Sequence, residues 1–157
     1  LSELLSIGTK AKSINAIKIA IEILNRRATK ELLISLNTRN QLFDKGEDSR
    51  GIRLDQIGGS YSINTIEGVE GVYPGKKDLG LPFDRVTLYQ TGEFYESFQI
   101  KIEWPFIIFI ANDLKEGISL NEEWGGHILG LNEENKRFFE SFLLEQVIDE
   151  ILQRLLS

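Results

Sequence analysis

The chain has 157 residues, 41% of them hydrophobic, with no cysteine and with 24 acidic against 18 basic side chains for a formal charge of -6. That length is one domain's worth, enough to bury roughly 70% of the unfolded surface and to fold without a metal or disulfide staple. Missing cysteine removes disulfides, thiolate metal sites and cysteine nucleophiles, and the acidic balance, with no lysine or arginine block, excludes a phosphate-tracking surface. No apolar run approaches the roughly 20 residues of a membrane span, and Leu1 opens no signal-peptide pattern, so a soluble product without a membrane partner is expected. With no methionine, initiator included, the sequence is expected to begin after a processed or disordered segment.

From Ser13 to Leu36 the apolar residues Ile14, Ile17, Ile21, Leu24, Leu32, Leu33 and Leu36 recur at helical spacing, with Lys18, Glu22, Arg26, Arg27 and Lys30 between them. This predicts a long amphipathic helix with a break near Ala28. Ile19, Ile23 and Ile34 widen its apolar face, which then packs on two elements or is offered in part to a partner. Thr38 and Gln41 have the spacing of a capping box for a short helix that carries Leu42 and Phe43 inward and that Gly46 ends.

Eight glycines fall between Gly46 and Gly80, a density that opposes long regular elements. Residues 46–82 therefore read as an extended glycine-rich arm with a helical turn or two at Ile63, Ile66 and Val69. Its apolar content is too high for disorder; its own core is one docking surface, but the expectation is that it docks on a neighbouring subunit or ring, with Ile57, Tyr61, Ile63, Ile66 and Tyr73 as the candidate interface.

The run Asp84–Phe98, "DRVTLYQTGEFYESF", reads as a built corner. Val86 to Tyr89 predict a short strand, Thr91 a helix N-cap, Gly92 a tight entry and Glu93 a favourable charge at the positive end of the helix dipole. Phe94 and Phe98, four apart, with Tyr95 beside them, make one apolar face. Asp84 and Arg85 lead the run and have the chemistry to pair across a subunit contact.

Phe98, Ile100, Ile102 and Trp104 alternate with Gln99, Lys101 and Glu103, the period of a half-buried strand. Pro105 breaks the pattern, and Phe106–Ala111, "FIIFIA", then predicts the second strand of an antiparallel hairpin, buried on both faces and covered by a helix or a neighbouring subunit. Asn112, Asp113 and Gly117 mark its exit. Leu120–Trp124 predict a short helix stopped by Gly125 and Gly126. Asn132 caps the last helix, whose apolar residues from Phe138 to Leu156 recur at three- and four-residue steps over about 36 Å, longer than a small core is wide. Part of that face is expected to be completed by another chain. The two tryptophans, Trp104 and Trp124, suit an interface and an ordinary core equally.

Groups with catalytic potential are sparse. His127, with Glu122 and Glu123 upstream, supplies too few ligands for zinc. Glu93 and Glu96, three apart on one helical face, have the residue types for acid–base glycoside hydrolysis, but dipole stabilisation and solvent exposure explain them more simply. No P-loop, no nucleophile elbow and no dinucleotide fingerprint occurs; "GVEGVYPG" lacks the strand-to-helix context. No catalytic, cofactor or metal residue is assigned, and no cofactor is expected.

The corner made by Thr87, Leu88, Thr91, Gly92, Glu93, Phe94, Ser97 and Phe98 resembles the "L-x-x-T-G-x-L-x-x-S" signature of tailed-bacteriophage virion-morphogenesis proteins. Upstream, "NQLFDKGEDSRGIRL" from Asn40 to Leu54, followed by Tyr61 and Ser62, is similar to versions in phages and prophages of Bacteroidetes. The likeness spans roughly residues 37–98, and Gly68–Pro82 departs from the lysine-rich "Y-K-x-x-K-G" helix of the pattern. Thr91, Gly92, Phe94, Ser97 and Phe98 are the structural motif. The resemblance implies a head-tail connector or tail-completion protein of the virion neck, assembled in the host bacterial cytoplasm as a homo-oligomeric ring. Its partners would be copies of itself, portal or adaptor proteins and tail proteins. Acidity is compatible with a channel through which DNA slides without sticking. The alternatives are a minor tail or baseplate component and, from another class, a small glycan hydrolase using Glu93 and Glu96.

The expected architecture is a single α+β domain over residues 1–157. N-terminal helices occupy 1–45, the arm 46–82, a small antiparallel sheet with short helices 83–130, and the C-terminal helix 131–157.

Overall fold

The computed structural model describes residues 2–157, so Leu1 lies outside it. The fold is α+β. In chain order come α1 (Ser2–Ser13), α2 (Ala16–Leu24), α3 (Arg27–Ser35) and a π helix (Leu36–Lys45). Next are α4 (Asp55–Gly58), α5 (Ile63–Glu67), β1 (Gly68–Val69), β2 (Tyr73–Pro74), α6 (Glu93–Glu96), β3 (Gln99–Glu103) and β4 (Phe106–Ile110). The chain closes with β5 (Leu114–Lys115), β6 (Ile118–Ser119), α7 (Leu120–Glu123) and α8 (Glu133–Leu156).

The N-terminal half differs from the single long helix expected over 13–36. Asn15 caps α2 by accepting from the Lys18 amide at 3.1 Å, and the chain breaks again at Asn25–Arg26, ahead of Ala28. Both breaks fall at asparagines, whose side chains compete for backbone hydrogen bonds. The expected capping box at Thr38 and Gln41 does not form, because α3 runs directly into the π helix and Thr38 Oγ1 instead donates back to the Ile34 carbonyl at 2.8 Å. Gly46 does end the helix. Its φ of 64° lets the Gly46 amide turn back onto the Leu42 carbonyl and the Glu47 amide onto the Gln41 carbonyl, each one residue wider than in an α-helical glycine stop.

Three two-stranded antiparallel ladders, β1–β2, β3–β4 and β5–β6, stand in place of one sheet. The expected strand at Val86–Tyr89 is irregular backbone with Leu88 at φ 56°, so it pairs with no ladder. In the main hairpin the register sets Ile100 opposite Phe109 and Ile102 opposite Ile107 on the inner face. The outer face pairs Gln99 with Ile110, Lys101 with Ile108 and Glu103 with Phe106. β4 is therefore not buried on both faces as its continuous apolar sequence suggested: Phe106 and Ile110 are exposed.

Two cores meet across this hairpin. One gathers Leu24, Leu33, Leu36, Ile100, Leu131 and Phe139 between α2, α3, β3 and α8. The other gathers Leu42, Leu54, Val86, Tyr95, Phe98 and Ile128, and Ile34 and Phe109 touch both. The 24-residue α8 begins as expected, with the Asn132 side chain accepting the Asn135 amide at 2.9 Å. Arg26–Glu150 (3.1 Å) and Arg154–Glu22 (2.8 Å) tie its C-terminal half to α2 and its flank.

A polar seam joins the π helix to the loop before α8. Asn37 donates to the Ile128 carbonyl at 3.1 Å and accepts from the Gly130 amide at 2.8 Å. Gln41 donates to the Gly130 carbonyl at 2.9 Å and accepts from the Asn132 amide at 2.7 Å, and Asn135 donates to the Leu36 carbonyl at 3.1 Å. All three amide side chains are buried. Because each is paired with backbone, burial costs little and fixes one register between the two segments.

The glycine-rich stretch does not behave as one unit. Its first part enters the second core through Leu54, fully buried, with Ile57 and Tyr61 against it. Buried Asp48 closes the turn, accepting from the amides of Arg50 (2.8 Å) and Ile52 (3.0 Å) and from the Arg50 guanidinium (2.6 Å). The later part, from α5 through β2 to residue 82, keeps Ile63, Val72, Tyr73 and Leu79 exposed.

Candidate functional site

The corner at Asp84–Phe98 is held by tyrosines. Thr87 is fully buried; its amide donates to Tyr61 Oη at 2.9 Å and its carbonyl accepts from Tyr95 Oη at 2.5 Å. Burial pushes the Tyr95 phenol well above the usual tyrosine range, which favours its neutral, donating form. An edge-to-face series runs from Phe43 to Tyr89 (5.5 Å), Tyr89 to Tyr95 (5.1 Å) and Tyr95 to Phe94 (6.0 Å), ending at Phe98 (5.1 Å from Phe94). The Arg39 guanidinium covers Phe43 and Tyr89 at 5.2 and 5.7 Å.

Thr91 is not the N-cap of α6. Gly92 takes that place in the left-handed region at φ 92°, which a residue with a Cβ adopts only under strain, and exposed Thr91 accepts from the Glu93 amide only at 3.4 Å. Ser97 carries more of the corner. Its Oγ donates to the Phe94 carbonyl at 2.7 Å and accepts from the Asn112 amide at 2.9 Å, tying the corner to the exit of β4. Asp84 and Arg85 pair with each other at 2.7 Å, and Arg85 Nε donates to the Phe43 carbonyl at 2.9 Å.

Between this corner, the later part of the glycine-rich stretch and the β5–β6 hairpin lies a groove of 700 Å³. Leu88, Phe94, Leu114, Ile118 and Trp124 give it apolar walls, and Asn112 lies at its edge. Gly58 packs so closely on Trp124 that a Cβ there would meet the indole at 2.5 Å. Asp113 shapes the far wall: its carboxylate accepts from Ser119 Oγ at 2.5 Å and from the Asn121 amide at 3.1 Å, and the hydroxyl bond chiefly holds its pKa below the usual carboxylate value.

Lys76 also lines the groove and is only 2% exposed. Its Nζ donates to the Tyr89 carbonyl at 2.5 Å and sits 4.5 Å over the Tyr61 ring. Among the described residues no carboxylate pairs with it, whereas neighbouring Lys77 pairs with Glu67. Sequence reasoning passed over Lys76 because two adjacent lysines look alike on paper. The signal, in retrospect, is Gly75: a Cβ there would lie 2.3 Å from the backbone of Glu67 and Gly68, so the chain is pressed onto α5 and the next side chain turns inward.

The five candidate interface residues fall into two groups. Ile57 and Tyr61 pack on the second core and Ile66 is half-buried, while Ile63 and Tyr73 are exposed. Glu93 borders the groove and Glu96 does not, although both are exposed. His127 lies on an exposed loop, and its carbonyl accepts the Ser49 amide at 2.8 Å. Among the described residues no three histidine, aspartate or glutamate side chains gather as a metal site requires, and no helix is long and apolar enough to cross a membrane.

Compared with protein-family models, with curated proteins and with solved structures, the chain matches none.

The remaining notable surface is apolar. On α8, Leu144, Ile148, Leu152 and Leu156 recur every four residues and are all exposed. On the outer face of the hairpin Phe106 and Ile110 form a second row, with Trp104 exposed at its tip.

Proposed function

We propose that the protein is a structural component of a tailed-phage virion, a head-tail connector or tail-completion subunit of the neck that works as a homo-oligomeric ring between portal and tail. The observation that carries the reading is the outward apolar row of α8. Scattered exposed leucines need no explanation, but four at a constant four-residue step on one helix make a strip that association would cover. The likeness of the Asp84–Phe98 corner to virion-morphogenesis proteins supplies the context. Thr87, Gly92 and Ser97 in that corner serve backbone geometry and hydrogen bonding, which suits a binding protein. The charge of -6 is tolerable around a channel that DNA must traverse.

Negative-stain imaging of the purified protein, alone and mixed with a portal, tests the reading. Closed rings, or rings formed on the portal, are expected. A protein that stays monomeric at every concentration and leaves the portal unchanged would overturn it.

A further inference from the structure

The hairpin β3–β4 connects two features that match each other. At its base, Asn112 borders the groove that holds Lys76; at its tip, about 17 Å away for five residues per strand, stand Trp104 and Phe106, 48% and 67% exposed. Glu103 lies beside them, exposed, and among the described residues Lys101 is its one charge partner. The groove offers what such a tip lacks. Its walls are apolar and aromatic, and its floor carries a buried ammonium with three donors of which one is spent on the Tyr89 carbonyl. Burying a cation without a carboxylate is costly, and a carboxylate brought in from outside relieves that cost.

The rim narrows the choice of occupant. Glu93, Glu116 and Glu123 line the groove against a single exposed lysine, Lys115, so a nucleic acid or other polyanion is repelled. One acid flanked by aromatic groups, with a basic residue nearby to meet the rim, is accepted. Residues 101–106, Lys-Ile-Glu-Trp-Pro-Phe, have that composition. Leu88, in the groove wall, holds φ 56°, a strained conformation for a leucine and of the kind found at binding sites.

We propose that the hairpin tip of one copy seats in the groove of a second copy, with Glu103 directed to Lys76 and Trp104 between the apolar walls. This rests on the homo-oligomeric reading and gives it a contact. Tip and groove lie at opposite ends of one element, so copies can add head-to-tail, the kind of contact that closes into a ring or runs on as a filament.

The test uses sedimentation of the full chain and two variants at exposed positions, Trp104→Ala in the tip and Leu114→Glu in the groove wall, with melting curves to verify folding. Each variant alone should weaken self-association roughly tenfold or more. An equimolar mixture should form a 1:1 heterodimer and stop there, because one partner keeps a tip and the other a groove. In a second arm, Glu103→Cys combined with Leu114→Cys in this cysteine-free chain should give a ladder of oxidised oligomers. Association unchanged in both variants would overturn the inference and leave the ring reading to the α8 row. A mixture that stays monomeric would overturn the head-to-tail geometry. A wild type that never associates sinks the inference, and if portal also fails to assemble it, the ring reading with it.

Discussion

The seam between the π helix and residues 128–132 buries polar side chains, whereas α8 and β4 expose apolar ones, so each region reverses the usual sorting of residue types. The difference lies in whether partners are present. In the seam, Asn37 and Gln41 each donate to and accept from backbone within the same chain, and the region is complete. Along α8, Leu144, Ile148, Leu152 and Leu156 stay exposed, with no buried cluster among the described residues taking them in, and the region is left open. The seam serves stability; association is the role proposed for the row.

Breaking the seam should have the largest effect. Gln41→Ala orphans the Gly130 carbonyl and the Asn132 amide, both of which Gln41 now satisfies. The expected loss is about 2–4 kcal/mol by urea denaturation. A loss below about 1 kcal/mol would show that the seam is ornamental, since water would then have replaced the side chain.

Gly46→Ala comes next. The position has φ 64°, and a Cβ would meet the Val86 carbonyl oxygen at 2.7 Å. About 1–2 kcal/mol of destabilisation is expected from the left-handed backbone alone, with more if Val86 cannot shift, and the thermal midpoint reads it directly.

Smaller again is Thr91→Ala. Since Gly92 occupies the cap position and the Thr91 contact is long, the loss should not exceed about 0.5 kcal/mol. A full cap's worth, about 1 kcal/mol, would restore Thr91 to the role its sequence position suggested.

Acid sharpens the contrast at the groove. Asp113 has a depressed folded pKa, so the stability it contributes is present above the ordinary carboxylate value near 3.9 and is lost as pH falls through the lower folded value. The carboxylate is well solvated, so the effect is local: amides of β5–β6 and α7 should lose exchange protection below about pH 4 before the amides of α8 do. Asp113→Asn should remove that pH dependence.

The open row should matter more to assembly than to stability. Replacing Ile148 and Leu152 with serine should move the unfolding free energy by no more than about 1 kcal/mol in total, because both side chains are already half in water. If the row is an interface, the same pair should abolish higher assemblies in sedimentation. Unchanged assembly would reassign the row to ordinary surface.

Elements whose signals are local were legible from the chain alone. The Asn132 cap of α8, the stop at Gly46, the alternation of Ile100 and Ile102, and α7 between Ser119 and Gly125 each depend on residues within one or two turns of each other. So did the α+β class, which follows from one strong strand pair beside strongly periodic helices. Tertiary structure decided the rest. Thr38 and Gln41 have the spacing of a cap, yet Gln41 faces residues 130–132, far away in sequence, and the helix widens and runs through. Val86–Tyr89 have strand propensity but no strand to pair with, because Tyr61 and Tyr95 take the Thr87 backbone groups first. Lys76 and Lys77 are interchangeable on paper, and only the fold of α5 against Gly75 sends one to the Tyr89 carbonyl and the other to exposed Glu67. Periodicity and capping read free energies that are settled among neighbours in the chain. Burial, strand pairing and the fate of a charge depend on which distant groups arrive first, and that competition has no local signature.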